Sequence, residues 1–402
     1  MNITHDIRSI SEASPEELFG KVVIVRAGMN VPMKNGVILD TYRLDTILPT
    51  LRLLENAGAK TILIGHLGRE KNETFLEVSS YFDKTLKKLI FFKDFFKEYG
   101  TGKFLVNECS LNDTIESCDP GTVLFLDNIR QTNAEKENDA DLAEYLRSIS
   151  DIYVNEAFPV AHREHVSTFG LPMLFALDKK YCGLRFHVEL ETLNRVQKPE
   201  KPSLFILGGA KIATKLPMID KFESIYDHIL IGGALYNTVL SALGKEIGVS
   251  KADTLEEEEK KRLLLALKSD KMLLPKYVIC ETSDGKSEKH ISFIETTDNI
   301  LDISPRYIES IKNIVLDCKT VLWNGPLGYY EGGYKEGTDT LMNLVENDNN
   351  YTVIGGGDTA SAAKISGKED FIDFISTGGG STIDYLSNGS LPGTKALQHK
   401  VV

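Results

Sequence analysis

The 402-residue sequence predicts an α/β protein built as two doubly wound parallel-sheet lobes joined by a hinge. Short runs rich in Val and Ile alternate along the chain with segments of helical spacing. The runs are apolar nearly throughout rather than at every second residue, the pattern of strands covered on both faces. A proline-bounded break at residues 197–202, QKPEKP, divides this alternation into two similar halves.

The first half offers VVIVRAG (22–28), TILIGHLG (61–68), KFLVNE (103–108), TVLFLDN (122–128) and IYVNEAF (152–158) as strands, with helical spacing at 44–56 and 139–148. A longer amphipathic helix, LRFHVELETLNRV (184–196), then leads into the break. The boundary is placed near residue 190, giving a first lobe of 1–189, a second of 190–385, and a tail of 386–402 that returns to the first. The second half repeats the theme with LFILGG (204–209), HILIGGAL (228–235), YVICE (277–281), TVLWNGP (320–326), YTVIGGG (351–357) and FIDFISTGG (371–379). Residues 255–268, acidic then basic and Leu-rich, read as a solvated amphipathic helix. Both halves are Rossmann-like in this reading, so ligands are expected beyond the carboxyl ends of the strands.

Composition narrows the class. An apolar fraction of 42% and a charged fraction of 26% describe an ordinary globular chain. A formal charge of −12 argues against binding nucleic acid through a general basic surface, so anions must be caught in local basic pockets. Cys109, Cys118, Cys182, Cys280 and Cys318 are scattered without metal-ligand or disulfide-framework spacing. The first twenty residues lack a basic start followed by an apolar run, and no window has the length of a membrane span. A cytoplasmic location is expected.

Three glycine-rich turns follow second-half strands, in LFILGGAKIATK (204–215), YTVIGGGDTA (351–360) and FIDFISTGGGS (371–381). A strand that breaks into glycines before a helix start presents bare N–H groups, as a phosphate requires. First-half strands instead end near Arg26, Asn30, His66, Arg69, Arg130, His162, Arg163 and His165. One half therefore suits a small, highly anionic molecule, and the other a nucleotide with its metal. Complementary sites on two lobes imply a transfer across a cleft, with hinge closure that expels water.

The ordered motifs VIVRAGMNVP, DTYRLDTILPTL, GHLGR, LDNIR, YVNEAFPVAHREHVST, ILGGAKIATK, LIGGAL, MLLP, VLWNGPLGYYE, VIGGGDTA and ISTGGGS resemble phosphoglycerate kinase from about residue 20 to LPGTKAL near the end. The resemblance implies reversible phosphoryl transfer between ATP-Mg²⁺ and the carboxylate of 3-phosphoglycerate, a glycolytic reaction, by a monomer with neither nucleic-acid nor membrane partners. Such a transfer needs positioning and charge neutralisation more than covalent help.

By the same resemblance Arg43 holds the attacking carboxylate, and Lys215 reaches the transferring phosphoryl oxygens. Lys211 lies near the α-phosphate, and Gly379, between Gly378 and Gly380, offers an N–H to the transferring group. Asn30, His66, Leu67, Gly68, Arg69, Arg130 and Arg163 line the substrate pocket. Asp358 engages the nucleotide-bound Mg²⁺, with Gly356, Gly357 and Thr359 at the phosphates. Glu331 accepts from the ribose hydroxyls, while Gly209, Gly232, Gly233, Asn324 and Pro326 wall the adenosine. Trp323 is expected in the core.

The chain departs from the family pattern where Gly28 replaces the aspartate of RVDFN, a contact to the substrate's 2-hydroxyl. Its loss is expected to cost about 1–3 kcal/mol in binding if nothing replaces it. Glu156 stands for a usual Asp and Pro159 for a small residue, a pair expected to shift Arg163. Thr214 and Ser304 replace a frequent Asp and Gly. Two other readings compete with the first: an acyl-phosphate-forming kinase for a different phosphorylated carboxylate, favoured by Gly28, and a nucleotide-binding protein without catalysis. The joint presence of Arg43, Lys215 and Asp358 speaks against the latter.

Overall fold

A computed structural model describes residues 7–100, 104–212, 215–347 and 349–400. The chain forms two compact units, Met1–Glu191 with Asn388–Val402, and Thr192–Ser387.

The first unit is organised on six parallel strands: β1 (Val22–Ala27), β4 (Lys60–Gly65), β5 (Leu89–Phe92), β6 (Val123–Leu126), β7 (Ile152–Glu156) and β8 (Lys180–Cys182). They run in the order β5-β6-β4-β1-β7-β8. A small antiparallel hairpin, β2 (Met33–Lys34) and β3 (Val37–Ile38), follows β1. β1 is central, and Val23, Ile24 and Val25 are fully buried because the sheet is covered on both faces. The helix Tyr42–Asn56 turns Leu44, Ile47, Leu51 and Leu54 inward, a 3-4-3 spacing that makes one face, and packs them on Val23, Val25 and Leu63. Each such buried side chain contributes about 1.5–3 kcal/mol. The tail adds the helix Pro392–Gln398, fastened where Gly393 N–H donates to Ala161 O (2.8 Å) and buried Lys180 Nζ donates to Ala396 O (2.9 Å).

The second unit has a parallel sheet in the order β11-β10-β9-β15-β16-β17. Its strands are β9 (Ser203–Leu207), β10 (His228–Ile231), β11 (Met272–Leu273), β15 (Thr320–Asn324), β16 (Tyr351–Gly355) and β17 (Phe374–Ile375). A second, antiparallel sheet in the order β13-β12-β14 is made by β12 (Tyr277–Thr282), β13 (Gly285–His290) and β14 (Asn299–Ile303). Trp323 lies in the core, its indole N–H donating to Gly325 O at 2.7 Å.

Three strand expectations are corrected. Residues 104–108 of the expected strand belong to the helix Phe104–Ser117, while 101–103 fall outside the described residues. The parallel edge strand is LIFF, β5, four residues too short for periodicity to distinguish from a helical turn. YVICE pairs in the antiparallel sheet rather than the parallel one, and of FIDFISTGG only Phe374–Ile375 pairs.

Candidate active site

In the first unit the candidate side chains stand at the carboxyl ends of β1, β4, β6 and β7 or on the loops that follow them. Arg26 is fully buried, and its guanidinium donates to Ser167 Oγ (2.9 Å), to Ala27 O and to His66 Nδ1 (2.8 Å). Burial first, then the charges of Arg26, Arg130 and Arg163 with His165, hold His66 well below its ordinary pKa. The His66 imidazole is therefore neutral at pH 7. Arg130 donates Nη1–H to Gly68 O (2.6 Å), but its Nε and Nη2 are buried with no partner among the described residues. Burial, then Arg163 and Arg26, push its guanidinium down to about 10.

Two unpaired buried donors on a cation, beside further cations, are a cradle for an anion. Asn30 ties the neighbouring loops together, its Oδ1 accepting from Gly68 N–H (2.8 Å) and its carbonyl from Arg43 Nη1–H (2.6 Å). Leu67 is buried, held by both ends of the Asn128 amide (3.3 and 2.9 Å). Arg163 is exposed and donates to His162 Nε2 at 3.3 Å. Arg69 is exposed, and among the described residues no hydrogen bond ties it to the others.

In the second unit the loops after β9, β10, β15 and β16 meet. Gly209 N–H donates to Pro326 O (2.9 Å), Gly233 N–H to Leu327 O (2.8 Å), and Gly325 N–H to Thr359 Oγ1 (2.7 Å). A Cβ at Gly233, where φ is 63°, would come within 2.6 Å of Gly209 N, so only glycine allows this approach. Beside these loops is a cavity of about 780 Å³ whose lining includes Gly209, Gly233, Asn237, Pro326, Glu331 and Asp358. Exposed aliphatic Val249 and Ile365 and exposed Tyr329 add apolar walls.

Lys215 caps the helix Leu216–Glu223, and its ammonium, on a residue only 6% exposed, donates to Gly208 O. Burial lowers it to about 8, against the opposing pull of Asp358. Asp358 and Gly357 are exposed in the first turn of the helix Gly357–Ile365, with Gly356 at the N-cap and Thr359 buried behind them. Asn324 is buried with an unpaired Nδ2 near Gly356, where a Cβ would lie 3.5 Å from it. Gly232 precedes the helix Gly233–Ala242, and Lys211 is exposed. Gly379, with φ 53°, sits at the entrance to the helix Gly380–Asn388 after β17.

The structure bonds Arg26 to His66, and two residues further along the same loop Gly68 ties Arg130 to Asn30 and through it to Arg43; the Gly209, Gly233, Pro326 and Thr359 loops meet in a separate group. A family model described as phosphoglycerate kinase matches residues 14–389. The chain belongs to the phosphoglycerate kinase family. The phosphoglycerate kinase of Dictyoglomus turgidum is 36% identical over 413 aligned residues, which cover 98% of this chain and 99% of the relative. That of Clostridium botulinum is 38% identical over 386 residues, covering 94% and 96%. The solved phosphoglycerate kinase of Coxiella burnetii superposes with a TM-score of 0.81 at 28% identity, covering 97% of this chain and 98% of that one. The structure from Pyrococcus horikoshii gives 0.78 at 25%, covering 98% of each.

Against the phosphoglycerate kinase pattern, two of the departures touch each other. A Cβ at Gly28 would lie 3.4 Å from Pro159 Cδ, an ordinary van der Waals contact, so the proline ring packs beside this position without excluding a side chain from it. The Glu156 carboxylate is spent on groups other than Arg163. It is buried, accepting from Thr50 Oγ1 (2.5 Å) and from the N–H groups of Arg185 and Phe186 (both 2.9 Å) at the start of the helix Leu184–Val196. The extra methylene thus reaches a helix N-terminus, where orphan donors need acceptors. Ser304 caps the helix Pro305–Ser310, its Oγ accepting from Arg306 N–H at 3.0 Å. Thr214 lies outside the described residues.

Sequence reasoning missed Asn237, whose Nδ2 is held by Lys251 O and Ile300 O (both 3.2 Å) while Oδ1 is buried and unpaired. It also missed Ser167 and Glu135 behind Arg26. Nothing local marks any of the three, since each acts through groups distant in sequence.

Proposed function

We infer that the chain is a phosphoglycerate kinase that moves a phosphoryl group reversibly between ATP and the carboxylate of 3-phosphoglycerate. The match of the family model across residues 14–389, with no motif-bearing unit missing, carries this reading.

In the first unit Arg130, with two unspent donors, and His66, Arg69 and Arg163 grip the phosphate end of the substrate. Asn30 and the N–H groups of Leu67 and Gly68 shape its floor. Arg43, half-buried and fixed on Asn30 O, holds the attacking carboxylate and offsets repulsion between two anions. In the second unit the base lies among Gly209, Gly232, Gly233 and Pro326, and Glu331 accepts from the ribose. Asn324 joins them at the adenosine, and Lys211, Gly356, Gly357 and Thr359 address the phosphates. Lys215 and the Gly379 N–H stabilise charge on the transferring group, the largest catalytic term expected, on the order of several kcal/mol.

Asp358 fits Mg²⁺ as one exposed carboxylate beside a phosphate cradle, since that ion keeps most of its waters and takes few protein ligands. When bound with the nucleotide it neutralises phosphate oxygens. Closure about a hinge near residue 190 brings the two ligands together, and the enzyme works as a cytoplasmic monomer in glycolysis. Among the described residues no helix is long and apolar enough to cross a membrane, and the described cysteines are free.

Gly28 favours one second reading, a different phosphorylated carboxylate that lacks the 2-hydroxyl. A coupled assay with ATP and 3-phosphoglycerate, run beside other phosphorylated acids, decides between them. Turnover on 3-phosphoglycerate at ordinary kinase rates is expected. Turnover only on another acid gives the second reading, and none on any acid refutes both.

A further inference from the structure

We propose that Ser167, backed by Glu135, is a positioning residue for the anion basin: through Arg26 it fixes the proton of His66 on Nε2, so that the ring meets the substrate anion as a neutral N–H donor. The proposal rests on the reading of the basin as the 3-phosphoglycerate site.

Every donor in this chain has a forced direction. A guanidinium has no acceptor atom, so the 2.8 Å contact of Arg26 Nη2 with His66 Nδ1 makes Nδ1 the acceptor and leaves the ring proton on Nε2. Arg26 Nε–H donates to Ser167 Oγ at 2.9 Å, so the hydroxyl's own proton is free to be given onward. It goes to Glu135 Oε1 at 2.6 Å, while Glu135 Oε2 accepts Ser167 N–H at 2.9 Å. Tyr153 O–H holds the Ser167 carbonyl from the other side at 2.7 Å. Arg26, Ser167, Glu135 and Tyr153 are all fully buried, so no water can rescue a reversed bond.

The charges agree with this direction. His66 is faced by Arg26, Arg130, Arg163 and His165, all of which disfavour a second proton on the ring. Glu135 faces both Arg26 and Arg130, with Glu73 also facing Arg130 and His165 Nδ1 at 3.8 Å from Glu135, and Glu135 spends its oxygens on Ser167. Attraction for the anion therefore comes from the arginines. His66 supplies direction, as a neutral ring whose donor is its Nε2–H.

The test is nitrogen-15 NMR of the imidazole rings in the full chain, with steady-state kinetics of Ser167→Ala. The unliganded wild type is expected to carry its His66 proton on Nε2 and to remain singly protonated at pH 6, and the Nε2–H signal to move on adding 3-phosphoglycerate but not ATP. Ser167→Ala removes the acceptor that holds Arg26, so both tautomers should appear and KM for 3-phosphoglycerate should rise about tenfold, with KM for ATP and kcat within about twofold. A proton on Nδ1, or an imidazolium at pH 6.5, in the wild type overturns the proposal. So does a Ser167→Ala protein with unchanged tautomer and unchanged KM. Should that variant not fold, the wild-type spectrum decides alone. Absence of turnover on 3-phosphoglycerate would sink the functional reading and leave the tautomer to the spectrum.

Discussion

Nucleotide binding should draw a proton onto Lys215, and the size of that uptake follows from where the ammonium sits. Burial against Gly208 O lowers Lys215 from 10.5 to about 8 in the free protein. The differential cost of the charged form is about 3 kcal/mol. Between about pH 8 and 10.5 the unfolded chain holds this proton more tightly than the folded one, so stability of the free protein should rise with pH across that window.

A triphosphate placed on the ammonium restores its charge. If the bound pKa exceeds 10, binding takes up about a tenth of a proton at pH 7, half at pH 8 and nine-tenths at pH 9. Affinity should accordingly fall about tenfold from pH 7 to pH 9. Calorimetric titration with a non-hydrolysable ATP analogue, in buffers of different ionisation enthalpy, measures the uptake directly. Lys215→Met should abolish it, and ADP, which lacks the transferring phosphate, should give less than the analogue. Equal uptake in the variant would refute the assignment, as would none at pH 8. In the same vein, Lys215→Ala should lower kcat far more than it weakens ADP binding.

Three other outcomes are expected. The buried Glu156 carboxyl is pushed up to about 7 from 4.5 by burial, so its stabilising contribution is full below about pH 4.5 and is lost as pH rises through 7; urea unfolding of wild type against Glu156→Gln should differ in slope across that window, and parallel profiles would contradict it. Gly28→Asp, whose Cβ would meet the Pro159 ring only at ordinary contact distance, should lower KM for 3-phosphoglycerate at least about fivefold, in line with about 1–3 kcal/mol for a hydroxyl contact, and an unchanged KM would count against the 2-hydroxyl argument. Asp358→Asn should raise the free Mg²⁺ needed for half-maximal rate by about tenfold or more at fixed ATP, read from initial rates, and an unaltered requirement would remove Asp358 from the metal site.

The sequence by itself determined the paired α/β architecture, because buried parallel strands need unbroken apolar runs, and VVIVRA, SLFIL and TVLWN recur as such runs between segments of helical spacing. It also determined the family and the motifs at the strand ends. Where the apolar run was short or the periodicity mixed, as in LIFF, residues 104–108 and YVICE, only packing decided between helix and strand or between parallel and antiparallel pairing. The tertiary structure alone decided that Glu156 reaches a helix start, that Pro159 packs beside Gly28, and that Ser167 and Glu135 stand behind Arg26. A buried polar group takes its meaning from the partner that satisfies it, and Glu135, Ser167, Arg26 and His66 are neighbours only once strands distant in sequence have been laid side by side.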